Sequence, residues 1–206
     1  GLHLESEESS SLLRTAVSVL QSSYLDRTSR DGFQYSQAIL VENDVFLNEL
    51  RAFAQAKEAA GYSQEELEET FAFLLFDNED EAKEVCQTGL RINTSSISTL
   101  GDPAKGVYIS KYADCLRPRP WHHGKSGYIV IFKLIKGKVK AVCENHTTSY
   151  TCPSPGYDCH IAVSRNTVTS RTSPFQAFER SQYYVYEVSG GSVAERPRQI
   201  CPYMVI

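Results

Sequence analysis

The sequence changes character near residue 106, and this change constrains the fold more than any other feature. Before it, apolar residues recur at helical spacing over residues 6–24 and again from Asn43 or Asp44 to Gly61. After it, short segments with alternating apolar and polar residues follow one another, separated by glycine and proline. Helices followed by many short strands indicate an α+β domain.

Local signals predict the remaining elements. Residues 33–41 have β character, and the nearly continuous apolar run at residues 70–76 suits a buried strand. Residues 79–88 predict a helix that Gly89 ends, and Ser63 with Glu66 has capping-box spacing. Further strands are expected at residues 127–135, 138–143, 158–164, 182–188 and 198–205, the first two joined as a hairpin through Lys136 and Gly137.

The chain shows neither an internal repeat nor a linker rich in proline, glycine or serine. We therefore expect residues 33–206 to form the main domain, with residues 1–32 as an N-terminal helical segment packed on it. No apolar run approaches the roughly 20 residues of a membrane span, so we expect no membrane partner.

The overall charge argues against a protein that binds nucleic acid through its general field. Lysines and arginines number 21 against 25 acidic residues, which gives a formal charge of −4. A local basic patch is the alternative, since basic residues interleaved with aromatics such as Tyr128 and Phe132 can hold single-stranded RNA. The residues of this candidate patch surround the predicted hairpin: Arg117, Arg119, Lys125, Lys133, Lys136, Lys138 and Lys140.

Cysteine and histidine also gather late in the chain, where a zinc site has to be considered. The residues concerned are Cys143, His146, Cys152, Cys159 and His160. Their types suit zinc, but the spacings C-x₂-H and C-x₆-C-H do not form a standard pair of ligand knuckles. We therefore predict no metal. Six cysteines in 206 residues are too sparse for a disulfide scaffold, so we expect reduced thiols.

Several short motifs, taken in order, resemble the catalytic domain of the poly(ADP-ribose) polymerases, the PARP family. The residues Val41-Glu42-Asn43 with Phe46 are similar to the start of one of its helices. The other motifs are GLRI at residues 89–92, KGVYI at 105–109, SKYADC at 110–115, SQYYVY at 181–186 and QICPYMV at 199–205. The resemblance spans residues 33–206 and implies an ADP-ribosyltransferase-like α+β fold, with two packed, mostly antiparallel sheets and N-terminal helices.

The resemblance also implies a degenerate NAD⁺ site. The family uses a His-Gly pair, a stacking Tyr and a Glu; here Asp77 and Asn78 replace the pair, Tyr108 is retained and Gln182 replaces the Glu, while Cys115 stands at a second stacking tyrosine. A carboxylate cannot donate a hydrogen bond to a ribose hydroxyl, and an amide offers no full charge to a developing cation. We therefore expect a pseudoenzyme without an NAD cofactor, in which Tyr108 is structural. The alternative is a weak mono-ADP-ribosyltransferase with a rearranged NAD site.

Residues 73–92 resemble in particular the pseudo-PARP domains of the HUSH silencing complex. That resemblance implies a chromatin regulator in the nucleus that acts in heterochromatin formation and in silencing of retroelements and inserted genes. The partners it implies are periphilin, M-phase phosphoprotein 8 and a histone methyltransferase, mostly through other regions of a longer protein.

The polar segment at residues 93–105 is a further functional candidate, with Asn93, Ser95, Gly101 and Lys105 as its representative residues. It stands where ADP-ribosyltransferases carry the loop that covers the donor. Long connections without periodicity are often binding loops. We expect this loop either to close an empty cleft or to contact a partner.

Overall fold

The computed structural model describes residues 2–95, 97, 99–116, 127–143, 152–163 and 174–206, with no side-chain description for residues 2–8 and 174–176. In these parts of the chain the helices are α1 (Leu2–Gln21), α2 (Ser29–Gly32), α3 (Asp44–Ala59), α4 (Glu79–Thr88) and α5 (Pro174–Arg180). The strands are β1 (Ile39–Leu40), β2 (Glu69–Phe76), β3 (Val107–Ser110), β4 (Tyr128–Ile135), β5 (Val139–Cys143), β6 (Cys159–Val163), β7 (Gln182–Val185), β8 (Val188–Ser189), β9 (Ser192–Val193) and β10 (Ile200–Val205). None of these helices is long and apolar enough to cross a membrane.

Eight strands form a single sheet in the order β1-β10-β4-β2-β3-β7-β6-β5. Neighbouring strands are antiparallel, except for the parallel pair β5 and β6. The pairing of β2 with β3 rests on one residue pair, Phe73 with Ser110. This bridge divides the sheet into a first half-sheet (β1, β10, β4, β2) and a second half-sheet (β3, β7, β6, β5).

The two half-sheets share one hydrophobic core. Phe132 and Val205 of the first half-sheet lie in the same buried cluster as Ile109 and Val185 of the second. The expected α+β fold of two packed, mostly antiparallel sheets is therefore confirmed, with the addition that the sheets are continuous through one bridge. Burial of a large apolar side chain contributes about 1.5–3 kcal/mol, so this shared core holds the halves together.

Three helices cover the first half-sheet. The last turns of α1 bury Ala16 and Leu20 in a cluster with Phe73 of β2. Helix α3 buries Phe53 in a cluster with Ile135 of β4. Helix α4 contacts β2, β4 and β10.

Side-chain caps fix where two of these helices begin. The Asn43 side chain accepts the Phe46 N–H before α3, and the Asn78 side chain accepts the Glu81 N–H at 2.9 Å before α4. Gly89 ends α4 with a φ of +82°, where a residue with a side chain would be strained.

Two of the elements predicted from the sequence differ in the structure, and others, such as α5 (Pro174–Arg180), had no predicted counterpart. The predicted hairpin of residues 127–143 is wrong: β4 pairs with β10 and β2, whereas β5 pairs with β6 in the second half-sheet. The Asp158 carboxylate accepts the Lys138 N–H at 2.9 Å and draws the chain away from β4 after the turn.

The segment at residues 33–41 contains only the two-residue strand β1, so the longer predicted strand is also wrong. Its aromatic side chains pack on the end of α1 and not in a sheet. Phe33 stacks on Tyr35 with ring centroids 6.3 Å apart, and the Tyr35 hydroxyl hydrogen-bonds that of Tyr24.

Candidate functional site

A cleft of about 730 Å³ opens where the two half-sheets meet. One wall is α4, the floor is the C-terminal half of β2, and residues 91–97 of the loop contribute the rim as far as they are described. Tyr108 and Ser110 of β3 and Gln182 of β7 line its inner end. The structure thus brings two of the predicted positions, Tyr108 and Gln182, into one cavity.

Asp77 and Asn78 lie beside this cleft and do not line it. Asn78 uses its side-chain oxygen to cap α4, and Asp77 is exposed between Phe76, which lines the cleft, and the helix. A side chain engaged in a helix cap is held in one orientation, which adds bulk at a position where the PARP resemblance implies glycine.

Tyr108 is 4% exposed, and its hydroxyl donates a hydrogen bond to the Gly101 carbonyl. Its ring packs on Tyr184 with centroids 5.1 Å apart. Burial raises the pKa of the Tyr108 hydroxyl, which keeps the group protonated as a donor.

Gln182 is buried at the start of β7, and its amide nitrogen donates to the Phe178 carbonyl of α5 at 3.3 Å. Cys115 is also buried, with its sulfur 3.7 Å from an Asp114 oxygen, and it does not line the cleft. Gln182 is therefore hydrogen-bonded to the end of α5, and Cys115 lies outside the cleft.

The charges around the cleft are mainly negative. Glu81 and Glu84 line it from α4, and Arg91 is the one cation among its described lining residues. Arg91 forms an ion pair with Glu195 at 2.9 Å and also donates to the Thr88 carbonyl. Two exposed carboxylates beside an engaged guanidinium oppose the pyrophosphate of a dinucleotide.

Three side chains of the second half-sheet hold the loop at residues 93–105. His160 Nδ1 lies 2.7 Å from the Leu100 carbonyl, Tyr108 donates to the Gly101 carbonyl, and the Tyr184 hydroxyl donates to the Asp102 carbonyl at 2.8 Å. We call these three side chains the loop clasp. Consecutive carbonyls are thus bound to three different strands, which fixes this part of the loop on the second half-sheet.

The imidazole in this clasp is neutral. Burial lowers the pKa of His160, and its Nε2 lies 2.8 Å from the Ser154 hydroxyl oxygen and accepts the Ser154 N–H at 3.2 Å. Since Nε2 is an acceptor, Nδ1 carries the proton that is donated to Leu100. The sequence analysis considered His160 only as a zinc candidate and predicted no metal there. Its position on β6, shortly after the turn at residues 154–158, gave no signal for this role.

The zinc candidates do not come together in the described part of the chain, where no group of three metal-ligating side chains occurs. Cys159 is fully buried, which raises its pKa, whereas Cys143 and Cys152 are exposed. His146 lies outside the described residues.

Comparison with known proteins assigns the family. A family model described as a protein of unknown function (DUF3715) matches residues 56–202. The chain belongs to the DUF3715 family. It is 36% identical to Protein TASOR of Homo sapiens and 39% identical to that of Xenopus laevis, each over 92% of this chain. It spans only 12% and 13% of those two proteins.

A solved structure agrees with this assignment. The crystal structure of the TASOR pseudo-PARP domain superimposes with a TM-score of 0.86 at 36% identity, covering 93% of this chain and 90% of that one. The predicted resemblance to a pseudo-PARP domain is confirmed, and this DUF3715 domain has a PARP-like fold.

Asp114 is a structural residue of this DUF3715 domain that the sequence analysis did not identify. Its carboxylate is 1% exposed and accepts the N–H groups of Leu25 at 2.9 Å and Asp26 at 3.0 Å. It also accepts the Ser29 hydroxyl at 2.7 Å. These bonds fasten the chain after α1 to the segment after β3. An acid beside the buried Cys115 in the SKYADC motif was the available signal.

The hairpin that was to carry the candidate basic patch does not form, because β4 and β5 pair with other strands. Lys133, Lys136, Lys138 and Lys140 lie over four separate rings, those of Tyr203 at 4.6 Å, Tyr183 at 5.8 Å, Tyr62 at 4.8 Å and Tyr157 at 5.3 Å. The other members, Arg117, Arg119 and Lys125, lie outside the described residues.

Proposed function

We propose that this DUF3715 domain is a catalytically inactive PARP-like module that acts through protein contacts in transcriptional silencing. The observation that carries the proposal is the state of the cleft at the junction of the half-sheets. The groups that would serve NAD⁺ there are replaced, engaged in structural hydrogen bonds, or faced by carboxylates.

Transfer of ADP-ribose passes through an oxocarbenium-like state that needs a negative charge nearby. Gln182 is neutral, and its amide donates to the α5 carbonyl of Phe178. Loss of one preorganised electrostatic group costs about 3 kcal/mol of transition-state stabilisation, or a factor of roughly 100 in rate. This argument supports inactivity even for a donor that reached the cleft.

Ground-state binding of NAD⁺ is opposed independently. The Tyr108 hydroxyl is bound to Gly101, and the ring is packed on Tyr184. Glu81 and Glu84 add two negative charges on the wall of the cleft. A dinucleotide would have to place its pyrophosphate in this field without an unengaged cation among the described lining residues.

The silencing role rests on the likeness to TASOR. We propose that the protein carrying this domain works in the nucleus, on chromatin, in heterochromatin-based repression of retroelements and inserted genes. Its proposed partners are periphilin, M-phase phosphoprotein 8 and a histone methyltransferase, bound mostly by regions outside this domain.

Titration with NAD⁺ tests the inactive part of the proposal. A ligand at 100 times its dissociation constant stabilises the folded state by about 2.7 kcal/mol. We expect no rise in melting temperature and no calorimetric heat with millimolar NAD⁺, and no transfer of labelled ADP-ribose. A catalytically active PARP domain is the positive control. A dose-dependent rise in melting temperature or label transfer would overturn the proposal.

Complementation of a silenced reporter tests the other part. In cells that lack the full-length protein, we expect the intact protein to restore silencing and a form without residues 33–206 to fail at equal abundance. A Gln182→Ala form addresses catalysis separately and should silence like the intact protein. Full silencing by the deleted form would show that the domain has no part in repression.

A further inference from the structure

We propose that the cleft is a docking groove for an extended peptide of a partner protein in which lysine or arginine alternates with apolar residues. This inference rests on the proposed function, because it requires that NAD⁺ does not occupy the cleft. It names the partner chemistry that the same cavity fits.

The floor of the groove is apolar. Leu74 and Phe76 line it at the C-terminal end of β2, each only partly buried, and Ile97 and Phe178 face it from the loop and α5. Apolar surface left open at a cavity is favourable to cover, since its burial removes it from water. An occupant must therefore present apolar side chains toward β2.

The wall of the groove is acidic. Glu81 and Glu84 are exposed and lie three residues apart on α4, so they project from the same face of the helix as Val85 and Thr88, which also line the cleft. The nearby Lys83 forms an ion pair with Glu79 at 3.0 Å and is not a lining residue. The charge that complements this wall is positive, which excludes anionic ligands and selects lysine or arginine.

The dimensions fit an extended segment. From Glu81 to Thr88 the α4 wall is about 10 Å long at 1.5 Å per residue, which equals roughly three residues of extended chain. A volume of about 730 Å³ lies within the range of preformed binding clefts. Because side chains of an extended peptide alternate, one side can meet the acidic wall while the other meets the apolar floor.

Fluorescence anisotropy with the 206-residue chain tests the proposal. The probe is a fluorescein-labelled heptapeptide, Lys-Val-Lys-Leu-Lys-Val-Lys. One control peptide replaces every lysine with glutamate, and a second replaces the apolar residues with serine. We expect saturable binding of the probe alone, weakened when the salt concentration rises from about 0.05 M to about 0.5 M.

Variants of the domain place the binding in the cleft. Glu81→Lys/Glu84→Lys reverses the wall, and Glu65→Lys/Glu68→Lys makes the same charge change at exposed positions outside the cleft. We expect the first pair to weaken binding about tenfold and the second less than about twofold. Thr88→Trp places a large ring in the groove at an exposed position and should abolish binding.

Each outcome decides between the two proposals. Equal binding to the wall-reversed variant, equal binding of the serine peptide, or no saturable binding would overturn the peptide groove. If that happens while NAD⁺ still leaves the melting temperature unchanged, the inactive-module proposal stands alone. Competition of NAD⁺ with the probe, together with a rise in melting temperature, would overturn both.

Discussion

Removal of the Tyr108 hydroxyl measures how much the loop clasp stabilises the domain. Tyr108→Phe leaves the buried Gly101 carbonyl without its donor, which costs about 1–3 kcal/mol. Tyr108→Ala removes in addition a ring that is 4% exposed and packed on Tyr184, for a total of about 3–5 kcal/mol. The two variants thus separate the hydrogen bond from the packing.

Urea denaturation gives both free energies of unfolding, and an unchanged m-value is required for the comparison. In thermal denaturation each kcal/mol corresponds to about 2–4 °C for a chain of this size. Tyr157→Phe is the matched control, because that ring is 39% exposed and the change should alter stability by less than about 0.5 kcal/mol.

Hydrogen exchange locates the effect. The Lys105 N–H, bonded to the Asp102 carbonyl at 2.9 Å, should exchange faster in Tyr108→Phe than in the parent. If Tyr108→Phe unfolds at the same urea concentration as the parent, with unchanged exchange at Lys105, the clasp does not hold the loop and the reasoning fails.

Three more predictions concern the same framework. Gly101→Ala should destabilise the domain by about 1–3 kcal/mol in urea, because a Cβ there would lie 2.2 Å from the Tyr184 ring; wild-type stability would contradict this packing. Asp114→Asn should cost about 1–3 kcal/mol and speed exchange of the Leu25 and Asp26 amides, and unchanged exchange would count against it. The folded-state pKa of His160 is lowered, so its contribution to stability is complete above the unfolded value of 6.5 and is lost as pH falls below it. Relative to His160→Gln, the parent should lose stability between about pH 7 and pH 5, and parallel curves would refute this.

Much of the framework was readable from the sequence because its signals are local. The Asn43 cap of α3 and the positive φ of Gly89 at the end of α4 both follow from residue type and spacing. Ser63 and Glu66 form the predicted capping box, with the Glu66 carboxylate accepting the Ser63 N–H at 2.9 Å. These features depend on neighbours a few residues apart.

The sequence predictions were wrong where contacts between residues far apart in the chain determine the strand pairing or the path of a loop. The turn at Lys136 and Gly137 looks like a hairpin, yet the partner of the following strand is β6, and the carboxylate that redirects the chain belongs to Asp158. The path of the loop also depends on distant residues, because Leu100 is fully buried and the carbonyls of residues 100–102 bond to side chains of the second half-sheet. No periodicity in residues 93–105 encodes those contacts.

The position of the candidate cleft could be predicted from the sequence, but the hydrogen-bond partners and charges of its lining residues could not. The resemblance placed Tyr108 and Gln182 in one site, and the structure places both at its inner end. That their polar groups are engaged with Gly101 and Phe178 depends on the paths of the loop and of α5. The acidic wall depends on which face of α4 turns inward, which the sheet beneath it determines.

The single bridge between Phe73 and Ser110 has a consequence for truncated forms of the protein. Along the chain, strands of the two half-sheets alternate: β2 and β4 belong to the first, and β3 and β5 belong to the second. The last strand, β10, lies in the first half-sheet between β1 and β4. No cut along the chain separates one half from the other. A premature stop codon just before residue 200 would remove the strand that joins β1 to β4, although nearly all of the domain would have been translated. We expect such a product to be degraded and not to survive as a shorter, partly working domain.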